Sequence, residues 1–385
     1  MCDLPKIILA IESNRAYDRD LLKGISQYAN AHGPWFFCHE TDDVFNALQS
    51  VEKIRPAGVV VRVSQGVKEL IDQLPASLPC VVLGSEEGAD GRINVLNDSE
   101  RIGRTAAEDL LSLGFSDFAF CGRTYDRESC QLADSFSRAI QESGCDVKNY
   151  FCPDKANSGF ARDVTALTEW VASLSKPVGI LAVNDERSLA VLEACKAAEA
   201  EVPEQVAVLG VDNDFAKCEI AMPPLSSIAL NTVKAGFEAA KLMHRMIRRE
   251  VGCAYREIAV EPTRIVTRQS TNVLAVPDRV VARALDFIRT HVNKQIQVND
   301  VAESVSVSRR ELERRFKRNL NYSIHQAIKL AKVQLIAQML LETSYSISEI
   351  AFQLGFTDAA HIARYFRDVE GISPIEYRKK NLCVL

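Results

Sequence analysis

The chain has no apolar run near the ~18 residues that a membrane-spanning helix needs, so no membrane partner is expected. Its first residues, "MCDLPKIILAIES", carry an acid at Asp3 and a short apolar run that reads as a buried strand. They lack the basic start and small-residue cleavage site of a signal peptide. The 11 cysteines are scattered singly, with no C-x-x-C pair. Reduced thiols and a cytoplasmic location follow as expectations, with Cys80, Cys121 and Cys195 as small core residues. Catalytic signatures are absent too: no G-x-S-x-G, H-E-x-x-H, P-loop or G-x-G-x-x-G occurs. The 6 histidines are dispersed, none at metal-ligand spacing. A binding protein is therefore expected rather than an enzyme, with no cofactor and no metal.

What is present is ordinary in amount and uneven in distribution. The 385 residues are 47% hydrophobic and 25% charged, enough for two or three soluble domains. The net charge of -5 conceals an asymmetry: residues 275–385 hold 17 basic and 12 acidic side chains, the remainder 29 and 39. A basic end on an acidic body suggests that the end meets a polyanion.

From 6 to about 268, short apolar runs alternate with amphipathic stretches. "KIILAI", "WFFCHE", "GVVVR", "CVVLG", "DFAFCG", "VGILAV" and "VAVLGV" read as strands, and 18–30, 99–113, 131–143, 185–198 and 231–249 as helices. This alternation predicts parallel sheets covered by helices, here two α/β lobes with a ligand cleft beyond the carboxyl ends of the strands. Polar residues gather there: Asn14, Arg15, Tyr17, Asp18 and Arg19 after the first strand; Asn184, Asp185 and Arg187 after "VGILAV"; Asp212, Asn213 and Asp214 after "VAVLGV". Acids and amides can hold sugar hydroxyls, and Tyr17 can cover an apolar sugar face. An Asp after a strand is also a common helix N-cap, a reading that applies to Asp185 and more so to Asp98.

"NVLNDSERIGRTAAEDLLSLGFSDFAFCG", "GILAVNDERSLAVLEACKAAEAEVPEQVAVLGVDND" and "PPLSSIALNTVKAGFEAAKLMHRMI" resemble the effector-binding domain of LacI/GalR-type repressors, a periplasmic-binding-protein fold. The resemblance covers most of 6–268. It implies that Asp185 and Asp212 border a sugar and that 225–247 contributes to subunit pairing. That family often carries a sugar-gripping Arg four residues before an aromatic in the helix after "FAFCG". Here the aromatic is Phe136 and the position is Leu132, leaving Arg123 or Arg127 as substitutes.

LacI/GalR-type proteins carry their DNA reader at the N-terminus, and this chain starts directly with a strand, so a reader is expected at the other end. "TNVLAVP" at 271–277 reads as a linker, and beyond it every segment reads as helix. "SRRELERRFKR" at 308–318 has eight charged residues in eleven, with Leu312 and Phe316 one helical turn apart as its only apolar pair. Ser308 and Glu311 form a capping-box start. Val301, Ala302, Val305 and Val307 join the same apolar set, which makes a helix-turn-helix. The spacing recurs in "IAFQLGFTDAAHIARYFRD", with one extra residue in the turn and Gly355 where a permissive backbone is needed. A long helix at 324–341 joins the copies, so two recognition helices could sit about one DNA turn apart.

This region resembles the AraC/XylS-type DNA-binding domain. "GISPIEYRK" matches that family's closing signature, and 347–366 match its I-x-E-I-A-x-x-x-G-F core. Ile336 departs from the usual Ala in the linking helix, which concerns packing. The resemblance puts base contacts on Arg309, Arg310, Glu313 and Arg314, and on Ala360, His361 and Arg364. Arg315, Lys317, Arg318 and Arg367 are placed on phosphates. The expected whole is an α/β two-lobed periplasmic-binding-protein-like domain at 1–270, a linker at 271–277, and an all-α double helix-turn-helix domain at 278–385. Such a protein would be a cytoplasmic transcription regulator, an activator working with RNA polymerase, and a homodimer on promoter DNA. Its small-molecule effector would be a monosaccharide, xylose or a related pentose, held by Asn14, Tyr17, Asp18, Arg19, Arg123, Asp185, Arg187, Asp212 and Asn213. A solute-binding protein for uptake and a regulator with a non-sugar effector are the alternatives.

Overall fold

The computed structural model describes residues 4–11, 15–39, 48, 51–63, 67–84, 92–124, 127–152, 160–252, 256–272, 278–320 and 322–381. Asn14 and positions 273–277 of the expected linker lie outside the described residues.

The chain opens with β1 (Lys6–Ala10), α1 (Ala16–His32), β2 (Phe36–His39), α2 (Val51–Ile54), β3 (Gly58–Arg62), α3 (Lys68–Gln73), β4 (Cys80–Leu83) and β5 (Ile93–Asn97). Then come α4 (Ser99–Ser112), β6 (Asp117–Arg123), α5 (Arg127–Gln141), β7 (Val147–Cys152), α6 (Phe160–Ser173), β8 (Val178–Ala182), α7 (Asp185–Ala197), β9 (Val206–Val211), α8 (Phe215–Ile220) and β10 (Ser226–Leu230). α9 (Thr232–Ile247), β11 (Arg256–Val260) and β12 (Pro262–Val266) complete the α/β part. Among the described residues the strands form two six-stranded sheets, ordered β11-β5-β4-β3-β1-β2 and β12-β10-β9-β8-β6-β7. The ladders are parallel, as strand–helix alternation demands, except that β12 runs antiparallel to β10 at one edge. Central strands such as Val59–Val61 and Val206–Leu209 are fully buried, which explains their unbroken apolar runs.

Each sheet reverses its winding once, at β1/β3 in the first lobe and β6/β8 in the second. Crevices beyond the carboxyl ends of the strands open at such points, and these two face a common cleft. The described chain crosses between the lobes at Asp98, Asn231 and Glu261. Backbone bonds lace these crossovers together: Asp98 N to Val260 O is 2.9 Å, and Asn231 N to Glu261 O is 3.0 Å. The Asn231 side chain also accepts from Glu261 N at 2.9 Å. In the first lobe α1 packs on α9 through two glycines. A Cβ on Gly24 would lie 1.9 Å from the Val233 carbonyl oxygen, and one on Gly236 would lie 2.1 Å from that of Leu21.

The C-terminal domain is all helix: α10 (Arg279–His291), α11 (Val298–Ser304), α12 (Arg309–Leu320), α13 (Ile324–Glu342), α14 (Ile347–Gln353), α15 (Ala359–Glu370) and α16 (Pro374–Asn381). It has two small cores, and α13 belongs to both. Ile324, Ala327 and Ile328 pack with Val301, Leu312 and Phe316, while Val333, Ile336 and Leu340 pack with Ile350, Ile362 and Phe366. Ile336 is fully buried, in keeping with a packing role. Among the described residues no helix is long and apolar enough to cross a membrane.

Candidate functional site

The cleft is lined from the first lobe by Arg15, Ala16, Tyr17 and Arg62, from the β5 crossover by Asn97, Ser99 and Ile102, and from the second lobe by Glu128, Leu132, Asn184, Asp185, Glu186, Asp212, Asp214 and Lys217. Most of these polar groups sit at strand ends for a topological reason. Arg15 and Tyr17 follow β1, Arg62 ends β3, Asn184 and Asp185 follow β8, and Asp212 and Asp214 follow β9.

Of the expected effector contacts, Tyr17, Asp185 and Asp212 line the cleft. Asp18 stands behind it. Its carboxylate is fully buried and accepts from Arg62 Nε at 2.8 and 3.0 Å and from Arg62 Nη2. Burial pulls the Arg62 guanidinium down, but the charge and hydrogen bonds of Asp18 outweigh it and raise its pKa overall. Asp18 thus fixes Arg62, which lies over the Tyr17 ring at 5.1 Å from the centroid. Arg19 spans the lobes instead, with Nη2 donating to Asp214 Oδ1 at 3.2 Å. Arg123 pairs with Glu186 at 3.3 Å, and Asn213 accepts from Arg268 Nη1 at 3.1 Å. Arg123, Asn213 and the buried Arg187 lie beside the cleft lining rather than on it.

The N-cap reading resolves differently for the two candidates. Asp98 caps α4, accepting from Arg101 N at 3.1 Å. Asn184, not Asp185, caps α7, accepting from Arg187 N at 2.9 Å. Asp185 is freed for another task. It accepts from Asp214 N at 2.6 Å, from Ser227 Oγ at 2.6 Å and from Cys218 Sγ at 3.5 Å. Burial pushes its carboxyl up to about 7, against the lowering pull of these hydrogen bonds. It braces the β9 loop, where Asp212 and Asn213 both hold positive φ, 99° and 51°. Such backbone is costly for residues with a Cβ and clusters at ligand clamps.

The brace presents Asp212. Among the described residues nothing donates to its carboxylate, and burial, then Asp185, raises its pKa well above the ordinary range while Arg62 and Arg15 hold it down. Asn97 Oδ1 is likewise buried with no hydrogen-bond partner among the described residues. Both residues line the cleft. Leu132 lines the cleft where an Arg was considered, Arg127 is exposed, and Glu128 takes the wall one turn before Leu132. Arg62, Asn97, Glu128 and Lys217 were missed by sequence reasoning. The topological rule could have found Arg62 as the polar end of "GVVVR" and Asn97 as the polar end of β5, a strand the sequence reading did not pick out; Glu128 and Lys217 stand inside helices and carry no separate signal.

The second surface is on the helices of the C-terminal domain. Leu312 and Phe316 are fully buried, while Arg309, Arg310, Glu313, Arg314, Lys317 and Arg318 are exposed. Ser308 Oγ accepts from Glu311 N at 3.3 Å, the forward half of the expected capping box. Arg309 pairs with Glu313 at 2.9 Å and Arg314 with Glu311 at 2.7 Å. Arg315 is held by Asp278 at 3.0 Å and Glu311 at 2.8 Å, tying α12 to the start of α10. In the second unit Ala360, His361, Arg364 and Arg367 are exposed beside buried Ile362 and Phe366. His361 stacks edge-on against Phe356, with centroids 5.1 Å apart, and its ring contacts Thr357 Oγ1 at 3.1 Å.

Two family models match separate parts of the chain. Residues 107–271 match the periplasmic binding protein-like domain, and residues 301–380 match a helix-turn-helix domain. The xylose operon regulatory protein of Escherichia coli K12 is 28% identical, over 98% of this chain and 97% of its own length. Its namesake from Haemophilus influenzae is 27% identical, over 97% and 98%. The solved structure of the xylose-binding transcription activator xylR superposes with a TM-score of 0.62 at 27% identity, covering 99% of both chains. The chain thus joins a periplasmic-binding-protein-like domain to a helix-turn-helix domain, the same two-part arrangement along its whole length as these regulators.

Proposed function

We propose that this DNA-binding transcription regulator is controlled by a monosaccharide, xylose or a related pentose, bound between its two lobes. The observation that carries the reading is a pair of acceptors with no hydrogen-bond donor among the described residues, Asp212 and Asn97 Oδ1, in a cleft walled by Tyr17, Arg15 and Arg62. Neutral polyols match such a set: hydroxyls donate to the carboxylate and amide and accept from the guanidinium groups, while the Tyr17 ring lies against carbon. The similarity to xylose regulators over the whole chain supports the same class, and with it activation through RNA polymerase, cytoplasmic location and pairing as a homodimer.

In this account Arg309, Arg310, Glu313 and Arg314 read one stretch of promoter DNA and Ala360, His361 and Arg364 a second, with Lys317, Arg318 and Arg367 on phosphates. The ion pairs on α12 do not obstruct this, since exposed pairs are worth at most about 1 kcal/mol and open readily. One observation favours a second reading, a non-sugar effector: Leu132 and Glu128 occupy the wall where an arginine would serve sugar hydroxyls.

Thermal unfolding of the full chain against pentoses, hexoses, sugar acids and amines separates the two. A pentose at 100 times its dissociation constant should stabilise the effector domain by about 2.7 kcal/mol. A rise with amines alone would replace the sugar reading by the second.

A further inference from the structure

The last helix of the DNA-binding domain does not end free; it is fastened to the seam between the lobes. Lys380 Nζ lies 3.2 Å from Glu261 Oε2, and Glu261 is the residue at which the chain crosses from β11 of one lobe to β12 of the other. The other carboxylate oxygen of Glu261 is taken by Arg101, whose Nε is 3.4 Å from Asp98, the residue of a second crossover. Lys234 Nζ, three residues past the third crossover at Asn231, donates to the Lys380 carbonyl. The Tyr377 hydroxyl donates to Thr263 O, within β12, at 2.5 Å. One helix therefore contacts or neighbours all three strands of chain on which the lobes must pivot.

The placement is specific in another respect. Tyr377 is 6% exposed and packs its ring edge-on against Phe366, a core residue of the second recognition helix α15, with centroids 5.2 Å apart. Arg378 Nε donates to Leu340 O at 2.9 Å, anchoring α16 to the end of α13. A movement of β12 relative to β11 thus reaches α15 through a single rigid ring. At the far side of the domain a separate contact exists: Arg289 Nη1 is 3.4 Å from Asn272 Oδ1, and its charge acts on half-buried Asp109 of α4.

We propose that α16 is the transmission element of the regulator, a clamp in which Glu261, Lys380, Lys234 and Tyr377 make the orientation of the second helix-turn-helix unit depend on the angle between the lobes. This rests on the two-domain regulator reading above, but not on which effector occupies the cleft. Coupling of this kind is reciprocal: DNA on the reader must alter the hinge as the effector alters DNA affinity.

The test uses the full chain, a DNA duplex that the chain itself selects from a random-sequence pool, and two clamp variants. Tyr377→Phe keeps the ring and removes the hydroxyl; Glu261→Gln with Lys380→Gln removes the ion pairs at a half-buried and an exposed position. The first readout needs no effector. In the wild type, adding the duplex should change hydrogen exchange of backbone amides around Asp98, Asn231 and Glu261; in the variants it should not, although they still bind the duplex. Unchanged exchange in the wild type, or the same change in both variants, overturns the clamp. The second readout is the D-xylose dissociation constant by calorimetry with and without the duplex. Roughly 5–150-fold separates the two in a typical coupled system; the variants should bring the ratio towards one while binding D-xylose as the wild type does. A wild-type ratio in the variants overturns the clamp. Failure of the wild type to bind D-xylose bears on the effector reading and leaves the exchange result to decide.

Discussion

Two aspartates that line the cleft, Asp185 and Asp212, are held differently. Asp185 is 1% exposed, with its carboxyl raised to about 7 by burial. A carboxyl whose folded pKa lies above its unfolded value adds stability at low pH and loses it as pH rises through the folded pKa. Relative to Asp185→Asn, the wild type should therefore lose about 2 kcal/mol between pH 5.5 and pH 8, read from denaturant midpoints of both proteins. Asp212 has no such bracing role: its residue lines the cleft, and among the described residues nothing donates to its carboxylate. Asp212→Asn should weaken effector binding about tenfold, because one acceptor oxygen becomes an NH2 donor facing the ligand's hydroxyls, and leave DNA affinity without effector unchanged. Calorimetry on both variants checks this. Position after a strand located both residues in the sequence, but it could not tell brace from contact. That distinction depends on Ser227 and Cys218, which arrive from 42 and 33 residues away.

At the scale of elements, the two helix-turn-helix units solve the same turn with different residues. Ser306 has φ 57° and Gly355 φ 71°, at equivalent points after α11 and α14. Left-handed backbone costs a residue with a Cβ roughly 1–2 kcal/mol. Ser306→Gly should then stabilise the first unit by about 1 kcal/mol, and Gly355→Ala should destabilise the second by a similar amount. The added Cβ at Gly355 meets only the movable end of Gln295, 2.7 Å away, so backbone strain dominates. Chemical denaturation measures both. The outward faces make a second pair of expectations. Arg310→Ala should cost about 1–3 kcal/mol and relax sequence preference, whereas Arg367→Ala should weaken all sequences alike and lower the salt slope by about one.

Elements with strong periodicity were legible in the sequence: α12 and α15 by their buried pairs, and β1, β3 and β9 by apolar runs. The strand β7 (147–152), with Lys148 and Asn149 exposed, carried no such run, because it is an edge strand with one neighbour. β11 and β12 escaped for a related reason: each sits at a sheet edge, and they are separated only by the crossover residue Glu261.

On the scale of the whole molecule, charge and topology tell one story. The basic surplus lies in the domain whose exposed helices carry Arg309, Arg310, Arg314, Arg364 and Arg367, and the acidic surplus lies in the lobes. Affinity for DNA should fall steeply with salt, as counterion release requires. In the proposed clamp, cleft and DNA-binding helices are linked at the seam of the lobes through α16, which would make ligand and DNA two ends of one equilibrium. The most direct measurement is the affinity of the full chain for its selected duplex, by fluorescence anisotropy, with and without saturating D-xylose whose occupancy is verified by calorimetry. The account predicts a shift in the dissociation constant of roughly 5–150-fold. An identical constant with the cleft demonstrably occupied would contradict it.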